Sequence, residues 1–132
     1  MAFFRNNTVN LLNLHYGVHA LALSGGGAFF TVFLLQAQVP APGVMLAIAA
    51  IMTGRLVFRP VVLALAKAGG LKPVLLSGTI FTAAEFPVLA QVHGVGPQLY
   101  ALCAVATVGD TLYWTCYHAY FAVLGDVEHR GY

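Results

Sequence analysis

Four long apolar runs separated by short turns account for most of the chain. Gly and Pro mark the turns, as in Val-Pro-Ala-Pro-Gly at 39–43 and Gly-Val-Gly-Pro at 94–97. A helix of about 20 apolar residues is long enough to cross the hydrocarbon core of a bilayer. The pattern therefore predicts an all-α integral membrane protein with a single domain over 1–132. Its four transmembrane helices are expected at approximately residues 9–38, 43–66, 73–93 and 97–124.

The composition agrees with a chain that lies largely in lipid. Hydrophobic residues make up 60% of it, charged residues only 8%, and the mean hydropathy is +0.83. A soluble domain carries about 25% charged residues. The net charge of +2 is small and scattered, which gives no indication of nucleic-acid binding. No nucleophile with a base, no metal-ligand spacing and no phosphate-binding loop occurs, so we expect no enzymatic activity and no metal site.

Basic residues are distributed unevenly among the turns. Lys67 and Lys72 lie in the second turn, and Arg5 and Arg130 lie near the termini, whereas the first and third turns carry no Lys or Arg. Because cytoplasmic loops carry an excess of Lys and Arg, the second turn and both termini are expected to be cytoplasmic. The chain is then a multi-pass protein of an inner, cytoplasmic-type membrane, with the lipid bilayer as its first partner.

Three charged residues fall inside the predicted spans at a similar depth. Arg55, Glu85 and Asp110 each lie roughly 18–21 Å from the cytoplasmic ends of their helices. Charges at membrane depth are costly and are normally paired, protonated or turned toward water. The common depth therefore predicts an ion-pair cluster. Such a cluster either binds a proton or a cationic substrate, with Arg55 as counter-charge, or has a structural role only.

The fourth run also carries an aromatic and polar face. Asp110, Tyr113 and Tyr117 recur at helical spacing, so they are expected to face protein or a cavity together. Tyr113 and Tyr117 are candidate substrate contacts through ring stacking and hydroxyl donors, with packing as the alternative. His19, at a slightly shallower depth than the three charges, belongs to the same candidate path.

Two further histidines are candidates for a cofactor. His15 in the first span and His118 in the fourth both lie roughly 9 Å from the cytoplasmic end. Helical bundles hold haem or chlorophyll between such residues, but this spacing is not specific to either group. The alternative is a pair of hydrogen-bonded histidines that line a polar cavity. We therefore expect no cofactor.

Two segments resemble a known transporter family. The second turn, LALAKAGGLKPVLLSG, resembles the cytoplasmic signature G-x-x-x-D-[RK]-x-G-[RK]-[RK]-P of the major facilitator superfamily, which it matches at Gly70, Lys72 and Pro73. Leu63 stands in place of the first glycine of the signature, and Lys67 in place of the aspartate. The end of the chain, LYWTCYHAYFAVLGDVEHRG, is similar to bacterial members whose fourth helix is aromatic and ends in a Gly-Asp-…-His-Arg-Gly segment.

The resemblance covers essentially the whole chain, as helices one to four of the amino-terminal half of such a transporter. It implies that a small solute crosses the membrane by alternating access, with helices one and four lining a central cavity. Proton antiporters of the family carry an arginine in helix four, four residues before the glycine at Gly109. That position is Val105 here, so the resemblance does not extend to proton antiport by that route.

Further transmembrane helices are expected as partners. Family members contain two six-helix halves, so a four-helix chain is expected to be a truncated or partial transporter segment. The alternative is a non-transporting accessory or structural subunit of a larger membrane complex, for example one that holds pigment or haem. In both cases the small residues Ser-Gly-Gly-Gly at 24–27 are expected to lie where another helix approaches closely.

Overall fold

The computed structural model of the protein describes residues 7–124, and these form four α-helices with no strand among them. Arg5, Arg130 and the Gly-Asp-…-His-Arg-Gly segment lie outside the described residues, so the orientation inferred from the termini stays a prediction. The all-α fold class and the number of helices are confirmed. In chain order the helices are α1 (Asn7–Gln36), α2 (Ala41–Gly69), α3 (Leu71–Leu89) and α4 (Pro97–Leu124).

Two of the four helices, α1 and α2, are long and apolar enough to cross a membrane by length and composition. In their most apolar stretches only 12% and 17% of the residues are buried, so neither is the buried core helix of a soluble protein. Among the described residues, α3 and α4 do not meet the same criterion. α3 is 19 residues long and contains Lys72 and Glu85, and α4 contains Asp110 among several tyrosines.

Short turns of defined geometry separate the helices. Gly70, with φ of +88°, is the only residue between α2 and α3, and its N–H donates to the Ala66 carbonyl. This backbone conformation favours glycine because a side chain there would be strained. At the opposite end of the bundle the Gly94 N–H donates to the Ala37 carbonyl at 2.6 Å. This bond joins the first and third turns, so they lie at one end and the second turn lies at the other.

The α3 helix ends four residues earlier than the predicted span. The N–H groups of Gln91 and Val92 donate to the carbonyls of Val88 and Leu89 at 3.1 and 3.0 Å, which closes a tight turn in place of further helix. The Gln91 side-chain amide also donates to the Pro87 carbonyl at 3.0 Å. Satisfied backbone groups at this helix end therefore explain why an apolar run does not continue as helix.

Buried apolar side chains form two clusters, one toward each end of the bundle. The cluster at the end that holds the first and third turns consists of Leu34, Val39, Val44, Ala47, Leu89, Val92, Leu99 and Leu102. The other cluster consists of Leu12, Val62, Leu75, Leu112, Tyr113, Cys116 and Tyr117. Most other large apolar side chains are exposed on the outside of the bundle, as expected of a surface that contacts lipid or other helices.

α4 is the helix around which the others pack. Its contact with α3 is the most extensive in the bundle, its contact with α2 is next, and α1 touches α2 and α4 only lightly. Glycines allow the α3–α4 crossing to be close. A Cβ atom added at Gly78 would lie 2.5 Å from the Tyr113 backbone nitrogen, and one added at Gly109 would lie 2.9 Å from the Thr82 nitrogen.

The small residues at 24–27 are used only in part within this chain. Gly26 faces the Phe86 ring of α3, which occupies the space that a Cβ atom would need. Gly25 and Gly27 have no atom of the described chain within 4 Å of the position of an added Cβ. The predicted close approach therefore involves α3 of the same protein at Gly26, and nothing in the described chain covers the two neighbouring glycines.

Candidate functional site

An ion pair joins α2 to α4 near the middle of both helices. Arg55 Nη1 lies 3.4 Å from Asp110 Oδ2, and the two side chains are 32% and 22% exposed. The helices approach closely beside this pair, because a Cβ atom added at Gly54 would lie 2.7 Å from Thr107 Cγ2. Gly54 directly precedes Arg55, and Thr107 lies three residues before Asp110. The small glycine therefore lets the guanidinium reach the carboxylate.

A polar cavity of about 560 Å³ opens beside the ion pair. It contains two arginines and one carboxylate, together with hydroxyl, indole and imidazole groups. Its lining consists of Arg55, Leu56, Arg59, Asp110, Thr111, Trp114, Thr115 and His118. On α4 these residues follow the spacing i, i+1, i+4, i+5 and i+8, so they form one continuous helical stripe. The size falls in the range of about 300–1,000 Å³ that is common for small-molecule sites.

Glu85 does not join the Arg55–Asp110 pair. Its carboxyl group is half-buried on α3 and does not line the cavity. It forms no ion pair with any described residue, but it is near enough to Asp110 for Coulombic repulsion. Arg55 instead makes its second contact with the Met52 sulfur, at 3.8 Å. Of the three charges that the sequence placed at one depth, two are paired, and the third makes no ion pair with a described residue.

Aromatic and imidazole rings fill the contact between α1 and α4. The His19 ring stacks on Tyr113 with centroids 3.7 Å apart and an interplanar angle of 17°. His15 lies 6.2 Å from His19 and 5.7 Å from Tyr113, centroid to centroid. Three buried atoms in this group, Nε2 of each histidine and Oη of the tyrosine, have no hydrogen-bond partner among the described residues. We call His15, His19 and Tyr113 the ring cluster.

The aromatic residues of α4 form one continuous set of ring contacts, and only part of this set lines the cavity. Tyr117 continues the face of the ring cluster, since its ring stacks with Tyr113 at 5.9 Å. Trp114 and His118 stack with each other at 5.7 Å on the cavity side. Asp110 therefore shares a cavity with Trp114 and His118, and the lining of that cavity includes neither of the two tyrosines. The Trp114 ring nevertheless contacts both tyrosine rings, with centroids 5.4 and 6.1 Å apart, so the cavity adjoins the tyrosines without including them.

The two histidines considered for a cofactor lie in different environments. His15 belongs to the ring cluster, whereas His118 is exposed at the edge of the cavity beside Trp114. No ring contact joins the two histidines in the described part of the chain. Within residues 7–124 there is also no group of three His, Cys, Asp or Glu side chains arranged to hold a metal ion.

Sequence reasoning missed most of the cavity lining, including Arg59, Thr111 and Thr115. Arg59 was not among the candidate residues, yet it lines the cavity one helical turn after Arg55. Thr111 and Thr115 drew no attention because single threonines in an apolar helix carry little signal. The signal that finds all three is spacing, since Arg59 is at i+4 from Arg55 and the threonines lie beside Asp110 on the same stripe.

The arrangement has the chemistry of a binding site. Its lining carries guanidinium, hydroxyl and indole groups that can donate hydrogen bonds to a ligand, and the carboxylate of Asp110 is held by Arg55. Comparison with known proteins adds no named relative: no protein-family model, no curated protein and no solved structure matches this chain.

Proposed function

We propose that this chain is an integral membrane protein and that the cavity beside Arg55 and Asp110 binds a small polar solute on its way across the membrane. The observation that carries the proposal is the ion pair of 3.4 Å at the wall of a polar cavity, in a bundle whose outer surface is mainly apolar. Ionisable groups at membrane depth are costly, and they mark substrate or ion pathways.

The position of the pair along its helices supports this proposal. Arg55 is the middle residue of α2, and Asp110 lies at the middle of α4. Each is therefore about 20 Å along the helix axis from either helix end, which is near the centre of a bilayer if the helices cross it. Solute sites of secondary transporters lie near the bilayer midplane. A purely interfacial anchor would lie near a helix end instead.

Within this proposal the chain corresponds to the first helices of a major-facilitator-type transporter. Support comes from the second-turn residues Gly70, Lys72 and Pro73 and from the aromatic fourth helix. Alternating access in that family needs two bundles that move against each other. The transporting unit is therefore this chain together with further transmembrane helices, and the cavity is its contribution to the solute path.

One observation favours a second candidate, a non-transporting subunit of a membrane complex. α1 packs lightly on the rest of the bundle, and nothing in the described chain covers Gly25 or Gly27. Small residues that face outward let a foreign helix approach closely. In this candidate the protein serves as a packing element, and the Arg55–Asp110 pair stabilises the bundle without contacting a solute.

The test compares transport by the assembled unit with and without the Asp110 charge. The chain is isolated gently from its own membrane, its partners are identified by native mass spectrometry, and the assembly is reconstituted in liposomes. Currents or uptake are recorded for a panel of small organic anions, cations and neutral solutes. Transport of at least one solute class is expected, and Asp110→Asn is expected to abolish it while the native mass stays the same.

The matched control is Glu85→Gln, which also turns a carboxylate into an amide but lies outside the cavity lining. Because Glu85 interacts with Asp110 only through repulsion, this variant is expected to keep the transport that Asp110→Asn loses. Full transport by the Asp110→Asn variant would overturn the proposed role of the pair. An assembly of unrelated subunits that moves no solute in the panel would favour the accessory subunit.

A further inference from the structure

We infer that the cavity takes an organic anion: a small carboxylate or phosphate ester with an apolar body. This inference rests on the proposed function, since it names the class of solute for the same cavity. It departs from the cationic substrate or proton that the sequence alone suggested for Asp110. It comes from the balance of charge among the lining residues.

The carboxylate of Asp110 is already paired, whereas one guanidinium of the cavity is not. Arg55 lies 3.4 Å from Asp110, so these two charges offset each other. Arg59 lines the same cavity, and in the described part of the chain it forms no ion pair. The lining thus carries a formal excess of one positive charge. A cationic ligand would have to displace Arg55 from Asp110 in the presence of a second arginine.

Besides the guanidinium groups, two polar groups of the cavity can donate to a ligand, whereas the Thr111 hydroxyl already donates to the Thr107 carbonyl. The Thr115 hydroxyl makes no hydrogen bond to a described residue, and the Trp114 indole supplies an N–H donor at the same wall. A guanidinium presents a planar fork of N–H groups that matches a carboxylate or phosphate with two parallel hydrogen bonds. Arg59 with these donors therefore suits an anion that has two or more oxygens.

The apolar part of the wall suits an organic body attached to that anion. Leu56 lies between the two arginines in sequence and lines the cavity with the Trp114 ring. The Trp114 ring is held in place by its stacking on His118. Ligand pockets commonly combine apolar walls with a few polar groups that fix orientation. An inorganic ion alone would leave this part of the wall unused.

The same chemistry is present in a water-soluble solute and in a lipid headgroup. The cavity opens to the outside of the bundle between α2 and α4, so both forms can reach it when the chain is in detergent solution. The experiment must therefore present the anion in both forms. It also requires a signal from the cavity itself, and the chain provides one, because Trp114 is its single tryptophan.

The test follows Trp114 fluorescence of the full chain in a maltoside detergent, which has no charged headgroup. Three probes share one apolar ring: cyclohexanecarboxylate, cyclohexyl phosphate and cyclohexylammonium. A saturable change is expected with the two anions and none with the cation. Arg59→Gln is expected to weaken binding about 10-fold or more, because one charge-assisted contact is lost. Lys67→Gln removes the same charge from α2 outside the cavity and should leave binding unchanged.

Arg59→Lys keeps the charge without the planar fork, so this variant is expected to bind the anions with intermediate affinity. It serves as a second variant if circular dichroism shows that Arg59→Gln does not fold. Phosphatidylglycerol and phosphatidylcholine micelles form the lipid arm. A response to phosphatidylglycerol without a response to the soluble anions would overturn the proposal of a soluble anionic ligand. It would assign the cavity to a lipid headgroup. Preference for cyclohexylammonium, or no response to any probe, would overturn the anion site.

These outcomes separate the inference from the function on which it rests. If the assembly transports a cation and Asp110→Asn abolishes that transport, the proposed anion site is refuted and the proposed transport function stands. Saturable binding of cyclohexanecarboxylate that Arg59→Gln weakens, in an assembly that transports nothing, would leave the anion site intact and refute transport.

Discussion

The α3–α4 crossing and the α1–α4 contact are two helix interfaces of the same bundle, built in different ways. At the first, Gly78 and Gly109 let the backbones touch, and the neighbouring Thr82 is buried with its hydroxyl donating to the Gly78 carbonyl at 3.0 Å. At the second, α1 reaches α4 through rings, among them the His19–Tyr113 stack. Close packing of small residues drives helix association in lipid, so the first interface is expected to hold the bundle together.

The α1–α4 contact also contains polar atoms that the described chain does not satisfy. Nε2 of His15, Nε2 of His19 and Oη of Tyr113 are buried without a hydrogen-bond partner among the described residues. A buried donor or acceptor without a partner costs about 1–3 kcal/mol. The comparison teaches that the core of this protein is α2, α3 and α4, and that α1 is attached by a weaker, more polar contact.

The largest expected effect comes from adding one methyl group at Gly78 in the α3–α4 crossing, with an uncovered glycine of α1 as the control. Gly78→Ala places a Cβ atom 2.5 Å from the Tyr113 backbone nitrogen, where no flexible side chain can yield. We expect a loss of about 2 kcal/mol or more in the free energy of unfolding, because backbone shifts are needed to make room. Thermal unfolding in a mild detergent, followed by circular dichroism, measures it.

Gly25→Ala on α1 is the matched control, since the same atom meets nothing within 4 Å. It is expected to leave stability unchanged or to raise it by up to about 1 kcal/mol, because alanine is a better helix former than glycine. Equal losses at both glycines would mean that the close α3–α4 crossing is not the cause of the loss at Gly78. A large loss at Gly25 alone would mean that a partner helix is packed there.

A smaller effect is expected at the α2–α4 ion pair, which can be tested with a double-mutant cycle. Arg55→Gln and Asp110→Asn each leave one charge without its partner, whereas the double variant removes both charges. Because both side chains are partly exposed, we expect a coupling free energy of about 1 kcal/mol. Strictly additive losses would show that the contact of 3.4 Å contributes nothing to stability.

Much of the fold follows from the sequence, because apolar runs and turn residues specify helices locally. The predicted spans and the observed helices agree within a few residues at most ends, and the break at Gly70 falls inside the predicted second turn. The end of α3 was misplaced because it depends on hydrogen bonds around Gln91 in the turn. Hydropathy carries no information about such bonds.

The candidate site was less predictable, because periodicity tells which residues share a helix face but not which neighbour that face meets. The spacing of Asp110, Tyr113 and Tyr117 fits one face, yet the close approach at Gly54 turns Asp110 toward α2 and its cavity. The same geometry brings Arg59 into the cavity. Depth along the axis was enough to suggest Arg55 as a partner of Asp110, but the rotation of each helix comes only from packing.

The smallest expected effect concerns a single hydroxyl group in the ring cluster. Tyr113 is fully buried, and its hydroxyl has no partner in the described part of the chain. Tyr113→Phe keeps the ring that stacks on His19 and removes only that hydroxyl. We therefore expect the free energy of unfolding to rise by up to about 1 kcal/mol, since an unsatisfied buried group is deleted.

Tyr117→Phe is the matched control, because the Tyr117 hydroxyl is not among the buried atoms without a partner, and its removal should bring no gain. A loss of stability in the Tyr113 variant would instead mean that water or a bound group satisfies the ring cluster. The contact of α1 would then be stronger than its protein contacts alone indicate.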